Sequence, residues 1–308
     1  MTAYLLRVFI KMAVTLFAIL TITFIATRLS GNPIDTFLGE GLTAEGREKL
    51  IAYFQLDRSL WHQYLAFLRA AASGDFGLSF VERRPVTQVI ASRIWPSAQL
   101  LLTSVSLTLL VSIPLGVLAA VYRKSWIGSA VMVIAFAGYA VPAFILAIVM
   151  ILIFSYTLNW LPVVGNGSFL HFIMPTIALS GVLVAALTRF TRNAMLDVLG
   201  QEYIRTARAK GLSEFWVVMR HGLGNASITV ISVIGLQIAS LAAAGSVVVE
   251  SIFSWPGIGQ LLVNAAIVRD YPVLQFGVIT VAVAVVLINA VTDIAYALAD
   301  PRIRLAQS

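Results

Sequence analysis

EYIRTARAKGLSEFWVVMRHG, running from Glu202 to Gly222, places Arg205, Arg208, Lys210 and Arg220 between two stretches written almost wholly in Ala, Val, Ile and Leu. Its local chemistry is helical. Ala207, Arg208, Ala209 and Lys210 are strong helix formers, and Gly211 stands where a left-handed terminating residue belongs. Arg208 and Lys210 fall in the last turn, where positive charge complements the helix dipole. Ser213 can cap a second helix with Glu214 at its positive end, continuing through Phe215, Val217 and Val218. The expected unit is helix, glycine corner, helix. Small residues such as Ala207 and Ala209 would let another protein approach the backbone closely, and the arginines would offer planar donors to carboxylates.

The text around this unit sets the fold class. Of the 308 residues 59% are hydrophobic and 11% charged, against roughly 25% charged in a soluble domain. Mean hydropathy is +0.92. The chain therefore reads as a polytopic, all-α membrane protein with lipid-facing helices. The absence of cysteine excludes disulfide scaffolds, thiolate metal sites and Cys nucleophiles. The net charge of +7 is explained first by basic cytoplasmic loops, and no nucleic-acid partner is expected.

Charged residues delimit the spans, because an ionisable side chain at the bilayer centre costs about 2.5–3.5 kcal/mol. No charge lies between Lys11 and Arg28, and with Val8 to Ile10 this run approaches the ~20 residues needed to cross. It reads as span 1, not as a cleaved leader. Span 2 covers Ser97 to Ala120, with Pro114 and Gly116 as possible kink points. The uncharged run from Ser125 to Thr188 would be about three times the bilayer core as one helix, so it must fold back. The turn is expected at Asn159 to Ser168, with Trp160 as an interfacial anchor, giving span 3 at Ser129 to Tyr156 and span 4 at Phe169 to Thr188. Spans 5 and 6 follow at Ser227 to Val249 and Val273 to Ala295.

Six spans put both termini on one side. Placing them inside gathers Arg7, Lys11, Arg123, Lys124, Arg189, Arg192, Arg205, Arg208, Lys210, Arg220, Arg302 and Arg304 in the inner segments, while the short outer loops hold only Arg269. The expected order is tail and first span (1–29), an external segment (30–96), and a core (97–298) with a cytoplasmic loop at 189–226. A cytoplasmic tail (299–308) closes the chain. The external segment contains two amphipathic helix candidates. One is capped by Thr43, with Glu45 and Glu48 near its start and Leu50, Ile51 and Phe54 on its apolar face; the other carries Leu60, Trp61, Tyr64, Leu65 and Leu68. They read either as scaffold on the membrane surface or as a docking face for an extracytoplasmic partner.

The segment from Glu202 to Ser213 resembles the EAA loop of binding-protein-dependent ATP-binding-cassette (ABC) importer permeases, in the dipeptide, oligopeptide and nickel group. Leu56 to Trp61 with Gln63 and Tyr64, Gly74-Asp75-Phe76-Gly77-Leu78-Ser79 and Arg84-Pro85-Val86 are similar to that group's external segment. Val249 to Gly259 and Arg269-Asp270-Tyr271-Pro272-Val273 are similar to its final external loop, and Asp300 to Arg304 to its tail. The resemblance covers essentially the whole chain and points to the B-type subunit. The chain departs from the pattern at Gly224, Thr229 and Phe276, where the group commonly has Arg, Pro and Gly.

The resemblance implies a permease subunit that pairs with a second homologous permease, two cytoplasmic ABC ATPase subunits and an extracytoplasmic substrate-binding protein. It implies a coupling helix in which Glu202, Tyr203, Arg205, Thr206 and Ala207 form the contact surface, Arg208, Ala209 and Lys210 complete the helix, and Gly211 fixes the corner. Peptides or related small solutes would be carried. ATP and Mg would reside on the partners, with no cofactor or metal bound directly, and the chain indeed carries no Gly-x-x-x-x-Gly-Lys-Ser/Thr phosphate loop. The rival class is an ion-coupled secondary transporter, which would bury ionisable residues and show repeated halves; spans 2 to 5 carry no charge.

Asp293 is read as the only acid touching a span, near its inner end. Trp255, Pro256 and Gly257 read as a rigid turn ahead of a short external helix, with Trp255 in the headgroup layer, or as a re-entrant gate. The small residues from Ala239 to Ser246 serve close helix packing or line a pore.

Overall fold

The computed structural model describes residues 2–29, 48, 51 and 57–299. The expected helix from Thr43 to Phe54 lies outside them but for two isolated positions, as do the tail residues 300–308 and the side chain of Asp293. The elements are α1 (Thr2–Leu29), α2 (Leu60–Ser73), α3 (Val86–Val121), α4 (Trp126–Ala140) and α5 (Ala143–Met150). Then come α6 (Phe169–Leu199), α7 (Glu202–Ala209), α8 (Glu214–Trp216), α9 (Gly224–Ser240), α10 (Ser246–Ile252), α11 (Ile258–Ile267) and α12 (Tyr271–Ala299). Three wide π-helical turns lie at Ile151–Thr157, Val217–Leu223 and Leu241–Gly245. No strand occurs among the described residues.

Four of the described helices are long and apolar enough to cross a bilayer, and two bent pairs raise the candidates to six. Span 3 is not the single rod expected from its lack of charge: Trp126–Ala140 and Ala143–Thr157 meet at 95°. The cause is local. Pro142 disfavours helical geometry at the residue before it, and Val141 adopts an extended conformation there. Pro114 has no such effect, since α3 runs through it unbroken. Gly116 serves packing instead, because a Cβ there would lie 2.5 Å from Thr191 Cβ and 2.8 Å from the Thr188 carbonyl oxygen. In a bilayer, where apolar surface drives little helix association, such backbone proximity is what holds helices together.

The chain divides into two compact units. One comprises Met1–Ser97 and Pro256–Ala284. Within it α2 is capped by Ser59, whose side chain accepts from the His62 N–H, and ended by Gly74 in a left-handed conformation. The expected apolar face of α2 is corrected here: Leu60 and Trp61 are each 64% exposed, whereas Gln63 and Phe67 are buried. Tyr64 and Phe67 reach the Phe24 ring of α1 with centroids 5.2 and 5.7 Å apart, and Tyr64 hydrogen bonds Thr21. A neighbour helix, not the aqueous boundary, selects the buried face. The core of this unit is Val86, Val89, Ile90, Ala265 and Val273, and Phe276 stacks on Phe76 at 4.0 Å.

The other unit comprises Ala98–Trp255 and Val285–Ser308. Its first core gathers Leu100, Ala147, Met150, Met174, Ala178 and Leu179 around Phe253 and Trp255. A second joins Ala120 to Leu187, Ala194, Met195, Val218, Ala226 and Val230. The central element is α6. Expected to stop near Thr188, it continues without a break to Leu199 and ends only at Gly200.

Candidate functional site

The polar segment is built on the far end of α6. Gly200 ends that helix and Gln201, with extended backbone, opens α7. Ile204 and Ala207, three residues apart and so on one face, turn inward, at 0% and 6% exposure. They pack with Val217, and Val198 and Leu199 of α6 close the cluster. Burying one aliphatic side chain of this size stabilises by roughly 1.5–3 kcal/mol in an aqueous setting. That exceeds the ~0–1 kcal/mol of a surface ion pair, so the apolar face is what holds α7 in place. Ala207 is therefore not part of an open contact surface, as expected from its small size; it is the inner face of the helix.

The outer face carries Glu202, Tyr203, Arg205, Thr206, Arg208, Ala209 and Lys210, all exposed, and then the exposed Gly211. Its polar groups are organised within the chain. Arg205 Nη1 donates to Glu202 Oε1 at 2.9 Å, and the Thr206 hydroxyl donates to the Glu202 carbonyl at 3.2 Å. Arg208 forms a fork on Glu214, Nε to Oε2 at 3.0 Å and Nη2 to Oε1 at 2.6 Å. That hydrogen bond holds the Glu214 carboxyl below its ordinary range and raises the Arg208 guanidinium further. The expectation that the arginines stand ready for a partner's carboxylates is thus narrowed: Arg208 is engaged across the corner, while Arg205, paired with Glu202 on its own helix, keeps a largely exposed side chain.

Between the forked partners lies Gly211, with φ +79° and nothing within 4 Å of where a Cβ would be. Its requirement for glycine is one of backbone handedness alone. Ser213 does begin the second helix, without a side-chain capping bond. The helix is short, Glu214–Trp216, before the wide turn Val217–Leu223. Phe215 and Trp216 are exposed and meet edge to face at 5.7 Å beside α7. The run that the sequence carries through Phe215, Val217 and Val218 divides by face: Phe215 is exposed, while Val217 and Val218 are buried.

The second expected site divides in geometry. Trp255 faces the protein interior, not lipid headgroups: it is 0% exposed and meets the Phe172 ring edge to face at 4.6 Å. The Trp255 backbone N–H donates to the Glu250 carbonyl at 2.8 Å, and Ser254 before it is left-handed at φ +48°. Gly257, buried, opens α11, and Pro256 beside it is half-buried. Glu250 itself, in α10, is fully buried. Sequence reasoning credited Asp293 alone with contacting a span; the available signal was that Glu250 is the only acid between Glu214 and Asp270.

With this geometry in hand, the likeness to known proteins is decisive. Residues 112–305 match the family of binding-protein-dependent transport system inner membrane components. The chain belongs to that family. The glutathione transport system permease protein GsiC of Escherichia coli (strain K12) is 41% identical over 305 residues, covering 99% of each chain. The GsiC protein of Shigella dysenteriae serotype 1 matches to the same extent. Among solved structures, an inward-facing MetNI methionine ABC transporter shares the fold with a TM-score of 0.61 and 18% identity, over 70% of this chain and 97% of that one. An amino acid ABC transporter solved with histidines gives 0.51 and 13%, over 70% and 94%.

As a member of this family the protein is the permease subunit of an ABC importer and resides in the inner membrane. It is a non-enzymatic component, with ATP hydrolysis on partner subunits, and the family implies both ATPase and binding-protein partners. Nothing in these comparisons favours an ion-coupled secondary transporter.

Proposed function

We propose that α7 and its glycine corner are the handle by which the cytoplasmic ATPases grip this permease. The observation that carries the reading is the rigidity of the unit: Ile204, Ala207 and Val217 bolt α7 to the end of α6, while the Arg208–Glu214 fork braces it across Gly211. Coupling between distant sites requires an element that both can bias, and a docked helix on a continuous rod meets that need. Tyr203, Arg205, Thr206 and Lys210 form the contact face, with Phe215 and Trp216 beside it. Glu202, Arg208, Ala209 and Gly211 shape it.

On this reading both termini and the 189–226 segment are cytoplasmic, and residues 30–96 with the loop around Asp270 are external. The chain pairs with a second homologous permease, two ATPases carry ATP and Mg, and a binding protein delivers the solute. The solute is a small peptide or peptide-like molecule, in keeping with relatives named for glutathione transport. Trp255, Pro256 and Gly257 form the external turn, and the buried Trp255 ring braces it.

The test is a disulfide cross-link. In a cysteine-free background, T206C should cross-link to a single cysteine in the ATPase of the same transporter, in inverted vesicles, and the yield should change when ATP is trapped. Absence of any product, with the purified complex intact, would remove the handle.

A further inference from the structure

We propose that the turn from Ser79 to Arg84, clamped by Asp270, is a preformed docking tip for an acidic surface of the extracytoplasmic binding protein. The inference rests on the importer reading and on the external placement of these residues given above.

The clamp joins parts of one unit that lie far apart in sequence. Asp270 is 3% exposed, and its carboxylate accepts the Ser79 hydroxyl at 2.5 Å and the Phe80 and Val81 N–H groups at 3.2 and 3.4 Å. A buried carboxyl group needs donors in place of its hydration, and here all three come from one turn. Ser79 is used twice, since its Oγ also accepts the Glu82 N–H at 3.0 Å. The backbone closes around the same residue: Ser79 N–H donates to the Arg84 carbonyl at 2.9 Å and Arg83 N–H to the Ser79 carbonyl at 3.0 Å. Leu78 and Pro85 form a bridge at the base.

What this construction holds up is an exposed tip. Val81 is 60% exposed and Leu78 and Arg83 are exposed with it. Arg84 is matched by Glu82. Arg83 has no ion pair or side-chain hydrogen bond among the described residues, and its backbone is left-handed at φ +54°. That conformation is uncommon for a residue with a Cβ and is kept only where surrounding bonds over-determine it. The bonds around Ser79 fix the backbone that carries the Arg83 guanidinium and the Val81 side chain, so the ordering cost of binding is confined to side chains; arginine is enriched among anchors at protein interfaces. Its complement is an acidic rim next to an apolar recess. A steering cation of this kind acts on association and weakens with salt.

The experiment titrates the purified, solute-loaded binding protein of the same transporter against the complete complex in lipid nanodiscs and reads ATP hydrolysis. R83E should raise the half-saturating binding-protein concentration about tenfold at low ionic strength, and the gap should narrow as salt is added. S79A, which loosens the tip without touching its charge, should raise it less. V81C should cross-link to the binding protein and not to the ATPase. A half-saturation in R83E equal to wild type at low salt, or a change in maximal rate alone, would overturn the docking tip. A wild-type complex that the binding protein fails to stimulate would instead fell the importer reading, and the tip with it.

Discussion

Arg208 and Glu214 face each other across the left-handed corner at Gly211, joined by N–H···O bonds of 3.0 and 2.6 Å. Both side chains are substantially exposed, at 44% and 57%, so the pair contributes about 0.2–1 kcal/mol, not the larger figure its geometry alone would suggest. Its pH dependence has a definite sign. The folded Glu214 carboxyl titrates below its unfolded value, so the contribution is complete above that unfolded value, near 4.5, and is lost as pH falls through the lower, folded one. Arg208 stays charged throughout. Hydrogen exchange in the 202–216 segment, normalised for intrinsic rate, should show protection falling as pH drops below the ordinary carboxylate range. Glu214→Gln should reproduce the acid-form protection at neutral pH and abolish the transition.

Gly211 separates two explanations for a glycine at a corner. Since no atom lies within 4 Å of the missing Cβ, bulk is tolerated and only the backbone conformation discriminates. Gly211→Asn should therefore be nearly silent, while Gly211→Val should cost roughly 1–2 kcal/mol of local stability or force the corner open. Solute uptake per ATP hydrolysed in proteoliposomes should follow the same order. Equal loss in both variants would point to a steric requirement that the open surroundings of Gly211 do not contain.

Gly116 and Gly224 are opposite cases in helical backbone. A methyl at Gly116 would lie 2.5 Å from Thr191 Cβ, whereas one at Gly224 would meet nothing within 4 Å. Gly116→Ala is expected to destabilise by about 1–3 kcal/mol through overpacking, and Gly224→Ala to be neutral or stabilising by up to about 1 kcal/mol through helix propensity. Thermal unfolding of the detergent-solubilised complex, compared at fixed concentration, distinguishes them.

Much of the architecture was legible because the bilayer enforces it. Uncharged runs of sufficient length mark spans, and Gly211 marked a corner because few residues tolerate its φ. The misjudged elements share a physical cause. Arg189 and Arg192 mark where lipid is expected to end, but backbone hydrogen bonding is indifferent to that boundary, so α6 continues to Leu199. Pro142 breaks its helix, with Val141 extended before it, while Pro114 and Pro175 do not, so the presence of a proline does not by itself tell a break from a continuous rod. The buried faces of α2 and α7 and the burial of Glu250 and Trp255 depend on contacts with residues distant in sequence, such as Phe24 with Phe67 or Phe172 with Trp255. The wide turn at Val217–Leu223 leaves no mark in residue types alone, since it depends on backbone bonding.

The uninterrupted course of α6 carries a mechanical corollary. At its 31 residues it is about 46 Å long, some 16 Å more than the hydrocarbon layer. Were α7 hung on a floppy tether, the first ångströms of any displacement would be taken up as slack. Anchored through Ile204 to Val198 and Leu199 instead, it is keyed to that rod as a crank is to its shaft, and on the proposed reading a push on α7 reaches α6 without slack.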